Sequence, residues 1–259
     1  DGTLDRRAFQ QALDGARLVS INAVSNVLGT RLPVDELVQE AQSAGALTLV
    51  DSAQAAGHVP IQWGRADFVA FTGHKALLGP QGTGGLWVRP GLDLEPFIAG
   101  GTGGNSLERQ MPSSWPDHLE AGTANGPGLA GLGAGATWVL ERGVESLHLD
   151  AARLKTRLRD GLAQVPTIDV LSPAAPDGAA IVTVRSTAVD AATLARDLDR
   201  DHDVQVRPGL HCAPEVHRLL GTTATGAVRY SLGWASTEAD VDAAIDGTAR
   251  VVRAASVTI

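Results

Sequence analysis

The two residues with the clearest capacity for covalent chemistry are Lys75 and Cys212. Lys75 lies in FTGHKALLGP, where an apolar run gives way to a glycine-rich turn. Partly apolar surroundings lower the pKa of an amine, and the neutral amine can attack a carbonyl carbon. Cys212 is the only cysteine in the 259 residues, so no intrachain disulfide can form. The amine and the thiol are therefore candidates for nucleophiles.

A carboxylate and a carboxamide follow one of the apolar runs. Asp51 ends ALTLVD, and Gln54 comes three residues later in DSAQAAGH. Open α/β sheets bind ligands beyond the carboxyl ends of their strands. A buried carboxylate at that edge requires a cationic partner, and a protonated pyridine nitrogen would supply one. Taken singly, Asp51 could equally cap a turn, and the GHK tripeptide could be an ordinary surface turn.

The cysteine also has two interpretations. A lone cysteine is commonly a small buried hydrophobe. Cys212 instead lies between a predicted strand and a predicted helix, after Arg207 and His211. Cationic neighbours favour the thiolate, and His211 contributes only when it is protonated. With a single cysteine, His211 and His217 are spaced too irregularly to predict a metal site.

Alternating helix and strand patterns in the first half must position Lys75 and Asp51. Helices are predicted at 4–13, with Thr3 as N-cap, and at 34–45, ending on Gly45. Strands are predicted in ARLVSINAV, ALTLVD, DFVAF and GGLWV. This alternation indicates an α/β domain with a mainly parallel sheet. Residues 100–128, rich in glycine, proline and serine, predict a long loop, and a loop of this length is usually either functional or disordered.

The second half predicts a smaller α/β domain that carries Cys212. Helices at 127–141 and 145–164 precede a strand in AAIVTVR, a helix in DAATLARDLDRD and a strand in VQVRP. A helix in PEVHRLL, a strand in AVRYSLG and a helix at 239–253 follow. We therefore assign residues 1–143 to part of a large domain, and residues 144–259 to a linking helix and a small C-terminal domain.

Composition excludes several classes of partner. The net charge of −8 argues against nucleic acid or an anionic membrane as a main partner. No apolar run reaches the roughly 18 residues that a membrane helix needs. One cysteine does not imply an oxidising compartment, so we expect a cytoplasmic protein. The remaining histidines, His58, His118, His148 and His202, are expected at turns or on the surface.

Several motifs occur in one order along the chain: SNVLGT at 25–30, DSAQAAGH at 51–58, FTGHKALLGPQGTGGLWV at 71–88 and EAGTAN at 120–125. Together they resemble the fold-type I enzymes that use pyridoxal 5′-phosphate (PLP), in particular the class V aminotransferase family. VRPGLHCAPEVHRLLG with AVRYSLG resembles the cysteine desulfurase and selenocysteine lyase branch. GLHCAP with GGTGGNS at 100–106 is most similar to a desulfurase-like subgroup. The resemblance implies a fold-type I α/β architecture with PLP as cofactor.

The resemblance also implies roles for the matching residues around the cofactor. Lys75 would bond covalently to PLP, Asp51 would pair with its ring nitrogen, and Gln54 would contact its phenolic oxygen. Three more residues would reach a phosphate: Thr72, His74 and, from the neighbouring subunit of a homodimer, Thr123.

The remaining implied roles concern an amino acid substrate. Asn26 and Arg229 would grip its α-carboxylate, with Arg207 as a further substrate contact, and His74 and Lys75 could relay protons. Cys212 would take the sulfur of L-cysteine as a persulfide and release L-alanine, and a sulfur-acceptor protein would be the partner that receives the sulfur.

Two departures from the family pattern leave alternatives open. Leu210 replaces the first histidine of the common GHHCA motif, so cysteine, selenocysteine or a related amino acid could be the substrate. Family members carry over a hundred further residues before the position of Asp1, including part of the phosphate cradle. We therefore expect this chain alone to be a fragment that binds PLP weakly. The alternatives are an aminotransferase, epimerase or other PLP lyase that does not use Cys212, and a non-catalytic scaffold.

Overall fold

The computed structural model describes residues 2–63, 65–104, 107–174 and 178–257. Within these ranges the chain forms two four-stranded sheets, one in each half, with two long helices between them. Asn105 and Ser106, the last two residues of the GGTGGNS motif, lie outside the described residues.

The first sheet carries the strands that lead to Asp51 and Lys75. Its strand order is β1-β2-β3-β4; β1, β2 and β3 are parallel, and β4 runs antiparallel to β3. One face of α2 is apolar at helical spacing, and Val34, Leu37, Val38 and Ala41 are buried there because this spacing aligns them on one side. The elements are α1 (Arg6–Ala12), β1 (Leu18–Asn22), α2 (Val34–Ser43), β2 (Leu47–Asp51), β3 (Phe68–Thr72) and β4 (Gly84–Val88).

The second sheet is antiparallel, with the order β5-β6-β8-β7. Its core is formed by aliphatic side chains of the sheet and of the helices packed on it, among them Leu158, Val182 and Leu198. The elements are α3 (Gly126–Arg142), α4 (Val144–Ala163), β5 (Ile168–Val170), β6 (Ile181–Ser186), α5 (Ala191–His202), β7 (Arg207–Gly209), α6 (Pro214–Leu219), β8 (Ala227–Ser231) and α7 (Glu238–Val257).

The predicted elements are largely confirmed, with a few corrections. Asp5, not Thr3, caps α1, because its carboxylate accepts the Ala8 amide at 2.9 Å. The strand predicted in VQVRP forms only at Arg207–Gly209, where the backbone meets β8. β5 was not predicted, since three residues are too few to display a strand period.

A single glycine separates the two long helices α3 and α4. Gly143 has a φ of 81°. The domain boundary assigned after residue 143 remains a prediction. In the described ranges, no helix combines the length and apolarity that crossing a membrane requires.

Candidate active site

The carboxyl ends of the parallel strands form the floor of the site. Parallel pairing aligns Asn22 with Asp51 and Asp51 with Ala70, so β2 delivers Asp51 to this edge. One carboxylate oxygen of Asp51 accepts the Ala53 amide at 2.9 Å. Asp51 is exposed rather than buried, because the strand ends there and its side chain opens to solvent. The sequence-based argument from a buried carboxylate was wrong on this point.

The turn between β3 and β4 presents Lys75. Gly73 begins it, with its amide 2.8 Å from the Thr83 carbonyl. A Cβ on Gly73 would lie 2.2 Å from the Thr83 hydroxyl oxygen, so only glycine permits this close approach. Thr72 and His74 hydrogen-bond each other through Oγ1 and Nδ1 at 2.8 Å. The turn therefore holds an amine, an imidazole and a hydroxyl within four consecutive residues.

The electrostatic surroundings of Lys75 come from both halves of the chain. Partial burial is the largest influence and lowers the pKa of its amine. Asp51 and Cys212 act to raise that pKa, while Arg229 and Arg207 act to lower it. The net direction is downward, as predicted, and it increases the fraction of neutral amine at a given pH.

A cavity of about 350 Å³ opens beside Lys75, and Gln54 and Arg229 also line it. Trp138 and Trp234 form its apolar wall, and their rings meet edge to face with centroids 4.9 Å apart. The cavity is thus lined by both polar and aromatic side chains.

Cys212 lies in a tight loop between β7 and α6. The Arg207 guanidinium donates to its sulfur at 2.9 Å, and the residue is exposed. His211 and Cys212 both have positive φ, 53° and 61°, a conformation that non-glycine residues seldom adopt. The thiol is therefore accessible and in contact with a permanent cation.

His211 does not act on the thiol as the sequence suggested. Its ring is buried, with Nε2 bonded to the Arg207 carbonyl at 2.9 Å and Nδ1 to His217 at 3.1 Å. Burial, together with the nearby Arg229, lowers the pKa of His211 to about 4, so the ring is neutral at pH 7. Arg207 is the cation that contacts Cys212.

Asn26 and Arg229 join the Cys212 loop to the first sheet. The side-chain amide of Asn26 donates to the backbone carbonyl of His211 at 2.6 Å. Arg229 donates through Nη1 to the backbone carbonyl of Asn26 at 2.8 Å. The Nε of Arg229 is buried and has no hydrogen-bond partner among the residues that the structure describes. A buried guanidinium nitrogen that lacks an acceptor fits an anionic ligand.

Thr123 is the predicted site residue that the structure does not bring to this cluster. It is exposed in the segment before α3. In the described part of the chain, no hydrogen bond joins it to Lys75, Asp51 or Cys212.

The sequence profile of the class V aminotransferases (Aminotransferase class-V) matches residues 1–244. The chain belongs to this family. Its α/β fold is the fold-type I architecture predicted from the motifs, since solved class V relatives superpose on it. A cysteine desulfurase from Thermococcus onnurineus, described as an apo structure, has a TM-score of 0.84 and 30% identity over 98% of this chain and 64% of its own.

Curated relatives agree with the structural comparison. A probable cysteine desulfurase from Streptomyces coelicolor is 35% identical over 97% of this chain, and a cysteine desulfurase from Salmonella newport is 34% identical over 98%. The chain spans 61% and 63% of the lengths of these two class V relatives.

Several residues at the site escaped the sequence analysis. Trp138 and Trp234 carry no local motif, and only the packing of α3 beside the segment after β8 brings them together. His58 lines the cavity, and burial lowers its pKa to about 4, with His148 and Lys155 adding to the effect. His58 lies in the turn after β2, as expected, whereas His148 is buried in α4 and is not the turn or surface histidine that was expected. His58 stands in the DSAQAAGH motif, which was the one available signal.

Proposed function

We propose that the protein containing this chain is a PLP-dependent cysteine desulfurase that converts L-cysteine to L-alanine and leaves a persulfide on Cys212. One observation carries the proposal. Gln54 and Lys75 of the first half and Arg229 of the second half line one cavity, so both halves of the chain contribute to one candidate reacting centre. The names of the class V relatives support the same activity.

The residues present fit PLP on its ring side. Asp51 would pair with the ring nitrogen, Gln54 would donate to the phenolic oxygen, and Lys75 would hold the aldehyde carbon. The adjacent Thr72 hydroxyl and His74 imidazole would contact the phosphate. PLP, when bound, withdraws electrons from the bonds at the substrate's α-carbon.

Substrate binding is assigned to Arg229, whose Nη1 donates to the Asn26 carbonyl but whose Nε lacks an acceptor among the described residues. Its Nε can donate to one carboxylate oxygen of the substrate, and an arginine fork suits a carboxylate because it binds both oxygens. The Asn26 amide is occupied by the His211 carbonyl, so we assign Asn26 first to orienting Arg229 and the Cys212 loop. Arg207 contacts the thiol and lies opposite Arg229 in the β7–β8 pairing.

The sulfur transfer is assigned to Cys212. Its sulfur, which the Arg207 guanidinium contacts, forms a bond to the substrate's sulfur while the substrate's carbon–sulfur bond breaks. The electron pair of that bond stays on the carbon side, which takes up a proton from Lys75 or His74. The products are alanine and a cysteine persulfide, so atoms and electrons balance without an added oxidant or reductant.

The proposal includes a cytoplasmic homodimer that passes its sulfur to an acceptor protein. Thr123 is exposed, which suits a contact to the partner's phosphate, and Phe97, which also lies between β4 and α3, is 98% exposed. Sedimentation would show a mass of about one chain if the dimer is wrong.

The decisive experiment replaces the thiol. The protein containing residues 1–259 is supplied with PLP and L-cysteine, and alanine and sulfide are measured in the presence of a reductant. Cys212→Ala is expected to lower turnover roughly 100-fold or more and to leave the PLP absorbance unchanged. Lys75→Ala, the matched control, should lose both the turnover and the PLP absorbance. Unchanged turnover in Cys212→Ala would instead favour an aminotransferase, epimerase or other lyase that does not use the thiol.

A further inference from the structure

A chain of hydrogen bonds runs beneath the Cys212 loop and has no part in the reaction above. His211 bonds through Nε2 to the Arg207 carbonyl at 2.9 Å and through Nδ1 to Nε2 of His217 at 3.1 Å. Nδ1 of His217 lies 2.8 Å from the Thr222 hydroxyl oxygen. The three side chains are 2%, 0% and 0% exposed, so water does not compete for these bonds.

The chemistry at one end fixes the direction of every bond in the chain. The Arg207 carbonyl can only accept, so Nε2 of His211 carries a proton. Neutral His211 then accepts at Nδ1, His217 donates from Nε2, and the Thr222 hydroxyl donates to Nδ1 of His217. Burial lowers the pKa of both imidazoles, which keeps them neutral at pH 7 as this direction requires.

The chain also explains an otherwise unfavourable backbone. His211 and Cys212 are consecutive non-glycine residues with positive φ, and such a pair persists only where surrounding contacts hold it. Asn26 holds the His211 carbonyl from the side of the first sheet. The buried His217 imidazole holds the His211 ring from within the second half of the chain.

We propose that His217 and Thr222 are positioning residues for Cys212, which act through His211 to keep the thiol against the Arg207 guanidinium. The importance of this position for catalysis rests on the proposed function. The placement of the thiol itself does not, because it can be measured without PLP or substrate.

The test measures the reactivity of a single thiol. Cys212 is the only cysteine among these 259 residues, so the rate at which iodoacetamide alkylates the chain of residues 1–259 at pH 7 reports on it alone. Thr222→Val removes the hydroxyl that ends the chain but retains the Thr222 amide bond to the His217 carbonyl. We expect alkylation to slow about threefold, because the sulfur would leave the guanidinium that stabilises the negative charge of the attacking sulfur. Thr222→Ser should restore the original rate.

Thr248→Val is the matched control. Thr248 is also 0% exposed, and its hydroxyl bonds another ring side chain, Tyr230, at 2.7 Å. The free energy of unfolding should fall by about as much in this variant as in Thr222→Val, while the alkylation rate should stay at its original value. His217→Phe, which breaks the same chain from its middle, should slow alkylation at least as much as Thr222→Val.

The proposal is overturned if Thr222→Val alkylates as fast as the unmodified sequence or faster, or if Thr248→Val slows equally. It is also overturned if Thr222→Ser stays as slow as Thr222→Val. A protein that releases no sulfide from L-cysteine but shows the expected alkylation pattern would refute the desulfurase function and leave the positioning role intact.

Discussion

Charged neighbours of opposite sign set the state of the Lys75 amine. The 259 residues contain only two lysines, Lys75 and the buried Lys155. The NMR signal of a labelled Lys75 amine therefore has to be distinguished from that of only one other lysine. Asp51 favours its charged form, whereas Arg207 and Arg229 favour the neutral form. An amine is nucleophilic only in its neutral form. The two arginines that suit substrate binding therefore also increase the fraction of neutral Lys75 amine.

Single charge removals at this site should shift the pKa of Lys75 in opposite directions. Asp51→Asn removes an attraction and should lower that pKa, while Arg229→Gln removes a repulsion and should raise it. At a fixed pH below the pKa, Asp51→Asn therefore increases the fraction of neutral amine. The measurement is a pH titration of the two ¹³C-methylated lysine signals by NMR, with Lys75→Arg to assign them. Shifts in the same direction for both variants would contradict this account.

The two ends of the first sheet have separate tasks. The carboxyl ends of β2 and β3 lead to Asp51 and the Lys75 turn, whereas their amino ends are joined by Asp67. The buried Asp67 carboxylate accepts the amide and the hydroxyl of Thr48, both at 2.8 Å, and pairs with Arg89 at 2.8 Å. Burial acts to raise the pKa of Asp67, but hydrogen bonds from Thr48, Gln42 and Arg89 outweigh it and lower the pKa.

Asp67→Asn should therefore cost stability without affecting the site. We expect about 2 kcal/mol at pH 7, measured by urea denaturation. A carboxylate with a lowered pKa in the folded state stabilises above its unfolded pKa of about 4, and this contribution is lost as the pH falls through the folded value. The difference between the variants should thus shrink below about pH 4.

A matched control is Asp169→Asn, whose carboxylate pairs with Arg185 at a half-exposed position. It should change stability by less than about 1 kcal/mol. Slower Cys212 alkylation in Asp67→Asn would contradict the separation of the two ends.

The SNVLGT segment connects the two halves of the molecule. The Gly29 carbonyl accepts the Ala179 amide at 2.9 Å, the Val27 carbonyl accepts the Thr183 hydroxyl, and Ile181 packs into the core of the first sheet. Asn26 reaches the Cys212 loop from the same segment. The relative position of Lys75 and Cys212, which lie in different halves, thus depends on these few residues.

Gly29→Ala tests this connection. Gly29 has a φ of 72°, and an added Cβ would lie 2.7 Å from the Ala179 carbonyl oxygen. Strain and overpacking together should cost about 2–4 kcal/mol, seen in thermal or urea unfolding. Gly45→Ala has the same type of backbone, with a φ of 84°, but open space around the position, so it should cost only about 1–2 kcal/mol. Equal losses would mean that the contact between the halves contributes little.

The sequence alone determined the elements with strong periodicity, the α/β class and the family, because these depend on local patterns and on motif order. It also singled out Lys75, Asp51 and Cys212, since their chemistry is unusual at strand ends and in loops. It could not decide which cation contacts the thiol. Arg207 and His211 are near neighbours of Cys212 in sequence, and the direction of each side chain follows from β7–β8 pairing and from burial.

Tertiary structure alone decided the contacts between residues far apart in the chain. The burial of His211 on His217, the aromatic wall of Trp138 and Trp234, and the bond from Asn26 to the Cys212 loop all join separate elements. Such contacts depend on strand register and on helix packing, in which a shift of one residue turns a side chain to the opposite face. Local sequence patterns do not encode that register, so these side-chain contacts could be identified only from the folded structure.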